Sequence, residues 1–223
     1  MTDDGCVRVL FLGNSYTSTN DLPGMFTTMA AAAGRKVQVA MVANGGETLA
    51  QHASSGDDEA QLNAEPWNYV VLQEQSEIPA LSSARPQMAA AVSSLADRIR
   101  GRGATPLLFE TWGHRYGLPD SGFADFADMQ AALRVGYEAA GSGSSVGLVR
   151  VGEAWSAAIQ ADPALNLWQE DGSHPNPAGT YLAALVFYAT IFDTDLSRLT
   201  SISGAPDGGV AEQLVAAAQS IVK

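Results

Sequence analysis

Short β-rich runs alternate with longer helical stretches through most of this chain, and that alternation restricts the possible folds more than any other feature. Apolar runs at 7–12, 36–42, 69–72, 106–109 and 146–151 have the length of buried strands. A helix is expected to start at Asp21-Leu22-Pro23 and to close at Gly34. A second opens at Arg85-Pro86, carries Met88, Ala91, Val92, Leu95 and Ile99 at helical spacing, and stops at Gly101-Arg102-Gly103. Further helices are expected at 123–140, 177–191 and 210–222, with Gly141-Ser142-Gly143-Ser144-Ser145 as a flexible connector. Strands and helices in this order predict a parallel sheet with helices on both faces. The connector is too short to separate domains, and 223 residues suit one large α/β unit, so 1–223 is expected to be a single domain.

In open sheets of this kind, ligands bind beyond the carboxyl ends of the strands. Gly13-Asn14-Ser15, Asn44-Gly45-Gly46, Gln73-Glu74-Gln75-Ser76 and Glu110-Thr111-Trp112-Gly113 each follow an expected strand, so the four turns should gather on one edge. Near the other end of the chain, Asp171-Gly172-Ser173-His174-Pro175 sets an acid and an imidazole three residues apart. A serine hydroxyl is inert until a base takes its proton, and an imidazole oriented by a carboxylate can do so. Each residue also has a plainer role open to it. Serine caps helices, and an Asp-Gly pair shapes turns. Pro175 restricts His174 to extended backbone in either case.

The order Ser15, Asp171, His174, with the last two almost adjacent and followed by Pro175, resembles the SGNH/GDSL hydrolases, whose C-terminal block is Asp-x-x-His-Pro. The likeness runs from about residue 7 to residue 192. It implies a three-layer α/β/α sandwich built on a flavodoxin-like five-stranded parallel sheet. By the same resemblance Ser15 would be the nucleophile, His174 the general base, and Asp171 the group that orients it. The oxyanion donors would be the Ser15 backbone N–H, the N–H of Gly46 (or its neighbour Gly45), and a side-chain amide after the third strand. Two departures stand out: Gly13-Asn14-Ser15 replaces the commoner Gly-Asp-Ser, and Gln73-Glu74-Gln75-Ser76 replaces Gly-x-Asn-Asp. Direct alignment puts Gln75 in the Asn place, with Gln73 as the competing choice. The implied activity is hydrolysis of small or medium acyl esters, O-acetyl groups on carbohydrates among them, through an acyl-enzyme and without cofactor or metal.

Charge and composition exclude other classes. A net charge of −12 argues against nucleic acid and anionic membrane as partners, because phosphate binding needs clustered Lys and Arg. No stretch approaches the roughly 18 apolar residues of a membrane span. Cys6 is the only cysteine, so no intrachain disulfide can form. The acidic start Met1-Thr2-Asp3-Asp4-Gly5 does not read as a secretory signal, so the chain as given is expected to be cytoplasmic, or secreted if a leader has been removed. Tyr16, Trp112 and Trp168 could line a pocket or simply fill the core. His114 could contact substrate or sit solvated in its loop, and His52 is expected at the surface. Two other classes are open to these residues: a non-catalytic glycan-binding module, and a metal-dependent phosphoesterase with Asp171, His174 and His114 as ligands. Intact Ser15, Asp171 and His174 count against the first. The second lacks any His-x-x-x-His or Cys-x-x-Cys spacing.

Overall fold

The computed structural model describes residues 5–207 and 209–222, so the acidic stretch 1–4 lies outside the described residues. Strands β1 (Cys6–Gly13), β2 (Lys36–Ala43), β3 (Tyr69–Leu72), β4 (Thr105–Glu110) and β5 (Gly147–Arg150) form a parallel sheet in the order β2-β1-β3-β4-β5. Their period-2 alternation explains why both faces are covered. Val9 and Phe11 join one apolar cluster while Leu10 and Leu12 join the other, and all four are fully buried. Burial of side chains of this size contributes roughly 1.5–3 kcal/mol each.

On the first face lie α2 (Leu22–Ala32), α7 (Val151–Ala161), α8 (Pro177–Phe192) and α9 (Gly209–Ile221). The second face carries α3 (Leu49–His52), α4 (Gly56–Ala64), α5 (Arg85–Arg100) and α6 (Phe126–Ser144). Helix α8 is buried at every position from Gly179 to Ala189, as an apolar-all-round helix must be. It runs between α2 and α9. The three-layer α/β/α sandwich with a flavodoxin-like sheet is thus the fold of this chain.

Register brings the strand ends level. Gly13 pairs beside Ala43, Leu12 beside Leu72, Leu72 beside Leu108, and Glu110 beside Arg150. The order reverses between β1 and β3, and the short helix α1 (Ser15–Ser18) begins directly at that switch point. Among the described residues no helix is long and apolar enough to cross a membrane.

Two local expectations are corrected. Residues 141–145 are not a flexible connector, because α6 continues to Ser144. Its buried stripe of Leu133, Gly136, Tyr137, Ala140 and Gly141 carries the helix past the Gly/Ser-rich composition. It stops only where Ser145 turns left-handed and the Val146 N–H reaches back to the Gly141 carbonyl. The strand expected at 146–151 is shorter, since α7 starts at Val151 and buries Ala154, Trp155 and Ala158. No helix is expected there from the sequence pattern.

Candidate active site

The turn after β1 is held from every side. Asn14 caps α1, its side-chain oxygen accepting from the Tyr16 N–H at 3.1 Å. Its backbone N–H donates to Gln73 Oε1 at 2.9 Å, and its side-chain amide donates to the Glu47 carbonyl at 2.9 Å. Gly13 can only be glycine here: a Cβ would lie 2.5 Å from Thr17 Oγ1 and 2.7 Å from Gln73 Oε1. These contacts leave Ser15, half-buried at the first position of α1, facing the edge of the sheet.

The acid–histidine loop comes from the far end of the chain. Asp171 Oδ1 accepts the backbone N–H groups of Ser173 at 2.9 Å and His174 at 3.0 Å. Asp171 Oδ2 lies 2.5 Å from His174 Nδ1, and His174 Nε2 lies 2.9 Å from Ser15 Oγ. Three residues separated by 159 positions therefore form one hydrogen-bonded line. Partial desolvation alone would raise the Asp171 carboxyl. The two backbone donors and the imidazole outweigh it and hold the group below the usual carboxylate range.

An aromatic stack fixes that loop against the core. Trp112 lies between Tyr16 and Trp155, with ring centroids 4.7 and 4.2 Å away and nearly parallel planes. The Trp112 indole N–H donates to the Ser173 carbonyl at 3.0 Å, and the Tyr16 hydroxyl meets Ser173 Oγ at 2.6 Å. Burial pushes the Tyr16 phenol well above its ordinary value, so it stays protonated. The Trp168 indole donates to the Gly113 carbonyl, and Asn20 donates to the Pro175 carbonyl. Tyr16, Trp112 and Trp168 are buried, so they brace the loop from beneath.

The remaining turns do converge on this edge. Gly46 is exposed with φ of +72°, a left-handed conformation suited to glycine. Gln73 is fully buried, and its amide N–H groups go to Asn14 Oδ1 and the Glu74 carbonyl. Gln75 is half-buried; its Oε1 accepts from the Glu77 and Ile78 N–H groups, and its Nε2 lies 3.2 Å from Ser76 Oγ. Glu74 Oε1 accepts the N–H groups of Leu49 and Gln75, which ties the β2 and β3 loops together. Between those loops opens a cleft of about 500 Å³ lined by Thr48, Gln51, Glu74, Ile78, Gln87 and Met88.

His114 is half-buried and lies near this loop. Desolvation lowers its pKa, Glu77 and Asp171 oppose the shift, and His174 adds to it. His52 corrects the expectation of a surface position. It is fully buried, because the short α3 folds back under the sheet edge and places the ring between Asp58 and the Gly13 carbonyl. Nothing near His52 in sequence signals this, since its carbonyl partner is 39 residues away.

Among the described residues, one group of three side chains, Glu47, His52 and Asp58, brings potential metal-ligating atoms within 4.8 Å of one another. Both His52 ring nitrogens already face oxygen acceptors at 2.6 and 2.8 Å, which leaves no imidazole lone pair turned toward an ion.

A protein from Slackia heliotrinireducens assigned to the SGNH hydrolases is 34% identical to this chain, with a TM-score of 0.69 over 83% of this chain and 99% of that one. A DUF4886 family protein from Bacteroides uniformis matches over 96% of this chain and 94% of its own, at 19% identity and a TM-score of 0.76. An acetyl xylan esterase matches over 83% of this chain and 100% of its own, at 11% identity and a TM-score of 0.66. The last two likenesses are of fold. No family model matches the chain, and a search of curated proteins gives no match.

Proposed function

Because this chain belongs to the SGNH/GDSL hydrolase family and is a hydrolase acting on esters, we propose that it works as a serine esterase with Ser15 as nucleophile. The observation that carries this is the line from Asp171 through His174 to Ser15, with contacts of 2.5 and 2.9 Å. In the proposed reaction Ser15 Oγ attacks the ester carbonyl carbon while His174 Nε2 takes its proton. His174 then returns that proton to the departing alkoxide, leaving an acyl-serine and a free alcohol. Water attacks the acyl-serine with His174 again as base, which releases the carboxylic acid and restores Ser15. Asp171 keeps the Nδ1 proton in place and stabilises the imidazolium in both halves.

The tetrahedral oxyanion would be held by the Ser15 and Gly46 backbone N–H groups and the Gln75 amide. Gln75 is preferred to Gln73 because both amide hydrogens of Gln73 are committed to buried acceptors. We assign the substrate class to small or medium acyl esters, including O-acetyl groups on carbohydrates, and the unit to one domain spanning 1–223. The net charge of −12 disfavours nucleic acid and other polyanions. A series of p-nitrophenyl esters from acetate to palmitate, with acetylated sugars alongside, tests the assignment: turnover concentrated on short chains is expected. Turnover only of the long-chain esters, or of none, would refute it.

A further inference from the structure

A second acid–histidine pair lies behind the nucleophile turn, outside the line that meets the substrate. His52 closes α3 and is fully buried; Nδ1 lies 2.6 Å from Asp58 Oδ2 and Nε2 lies 2.8 Å from the Gly13 carbonyl. A carbonyl oxygen has no hydrogen to give, so the contact to Gly13 requires a proton on Nε2. The contact to an ionised Asp58 requires a second proton on Nδ1. A neutral imidazole carries only one, and would turn a bare lone pair toward one of the two oxygens.

The surroundings favour the doubly protonated ring. Asp58 stands in the first turn of α4, where the helix dipole supports a carboxylate. Glu47 Oε2, from the loop after β2, lies 3.6 Å from Nε2, and Glu74, after β3, acts on the same ring. Arg98, from α5, donates to the Ala53 carbonyl and to Glu59. Burial opposes a charge on the ring, but the hydrogen bond and charge of Asp58, the Gly13 carbonyl and Glu47 outweigh it, and the His52 pKa is raised.

The Gly13 carbonyl belongs to the peptide that leads into Asn14 and Ser15. The Asn14 backbone N–H and side chain are held by Gln73, Glu47 and the Tyr16 N–H, and the Asn14 carbonyl accepts from the Thr17 and Ser18 N–H groups. We infer that His52, as a buried imidazolium gripped by Asp58, is a positioning residue that fixes the Gly13–Ser15 turn and so sets Ser15 Oγ against His174. This rests on the proposed role of Ser15. Through Glu47, the same cluster also steadies the loop that carries Gly46. A misplacement of the nucleophile by about 1 Å can cost on the order of 100-fold in rate.

The test combines kinetics with a direct view of the ring. The second-order rate of Ser15 modification by a fluorophosphonate is measured for wild type, His52→Phe, His52→Gln and Asp58→Asn, with kcat and KM on p-nitrophenyl acetate. His52→Phe should fall roughly 10- to 100-fold in both the labelling rate and kcat, with KM within about threefold. His52→Gln, which keeps an amide donor for Gly13, should recover part of the loss. The ring ¹⁵N shifts of His52 in the wild type should report protons on both nitrogens at pH 7.5. If wild type itself is not labelled at Ser15, the proposed esterase chemistry fails. If wild type is labelled and the folded variants react at its rate, the inference about His52 fails alone. Should His52→Phe not fold, the ring shifts and Asp58→Asn decide. One bare ring nitrogen at pH 7.5, or full activity in Asp58→Asn, would overturn it.

Discussion

Asp171→Asn is an informative perturbation because neither orientation of the new amide can reproduce what the carboxylate does. Oδ1 of Asp171 accepts two backbone N–H groups, and Oδ2 accepts from His174 Nδ1. If the amide oxygen keeps the backbone donors, its NH₂ faces Nδ1 and forces the imidazole proton onto Nε2. In that tautomer the ring cannot take a proton from Ser15. If the amide flips, its oxygen can accept from Nδ1–H, but its NH₂ then faces the Ser173 and His174 N–H groups. Two hydrogen bonds to the neutral amide oxygen are lost, each worth roughly 0.5–1.5 kcal/mol, and the NH₂ is set against two N–H donors. The Asp171 side chain is 46% exposed, so water holds the total to about 2 kcal/mol. A flip costing about 2 kcal/mol leaves on the order of 3% of molecules in the competent tautomer. Losing the negative charge beside the forming imidazolium should remove about tenfold more. The expected fall in kcat on p-nitrophenyl acetate is therefore roughly 300-fold, with KM little changed and thermal stability within a few degrees. A loss of less than about tenfold in a folded variant would refute the reasoning.

Other consequences are open to separate measurement. Gln75→Ala should lower kcat about 100- to 1000-fold at nearly constant KM and unchanged melting temperature. Gln73→Ala, which removes four buried hydrogen bonds around Asn14, should instead lower the melting temperature by several degrees; the reverse pattern would transfer the oxyanion role to Gln73. Glu110 offers a pH test of stability. Burial pushes its carboxyl up to about 8, Glu153 and Glu138 add to this, and Arg150 and Arg134 oppose it. Although the Arg150 guanidinium is 3.7 Å away, burial prevails and Glu110 is neutral near pH 7. The folded chain then holds a proton that the unfolded chain releases above about 4.5, so this group's contribution to stability declines as pH rises from 4.5 toward 8. In urea titrations, the wild type should lose stability relative to Glu110→Gln by about 1.4 kcal/mol per pH unit across that window. A pH-independent difference would contradict it.

What was legible in the amino-acid order follows from the range of the forces involved. Tyr69–Leu72 reads as a strand because its apolar run is bounded by turn residues, and Arg85 opens a helix because Pro86 suits the first turn. The Asp171–His174 contact is readable because both partners lie within one turn of chain. Its union with Ser15, and the five-strand order, follow from family likeness and not from periodicity. Long-range packing hid the rest. His52 reads as a surface residue because its carbonyl partner belongs to β1 and its acid to α4. Gln73 and Gln75 are equivalent in sequence, yet only burial against Asn14 commits the amide of Gln73. The Gly/Ser composition of 141–145 suggests a linker, while the buried stripe of α6 overrides that local preference. Helix α7 follows β5 without an intervening turn, so no boundary residue announces it.

The central claim is that Ser15 is the activated nucleophile, and covalent labelling tests it most directly. A fluorophosphonate should add once to the wild-type protein, and peptide mapping should find the adduct on Ser15 alone. Ser15→Ala should take no label and lose at least about 1000-fold in ester hydrolysis while remaining folded. His174→Ala should slow labelling by a comparable factor, because the hydroxyl would keep its proton. An adduct on another serine, or ester hydrolysis near the wild-type rate in Ser15→Ala, would contradict the account.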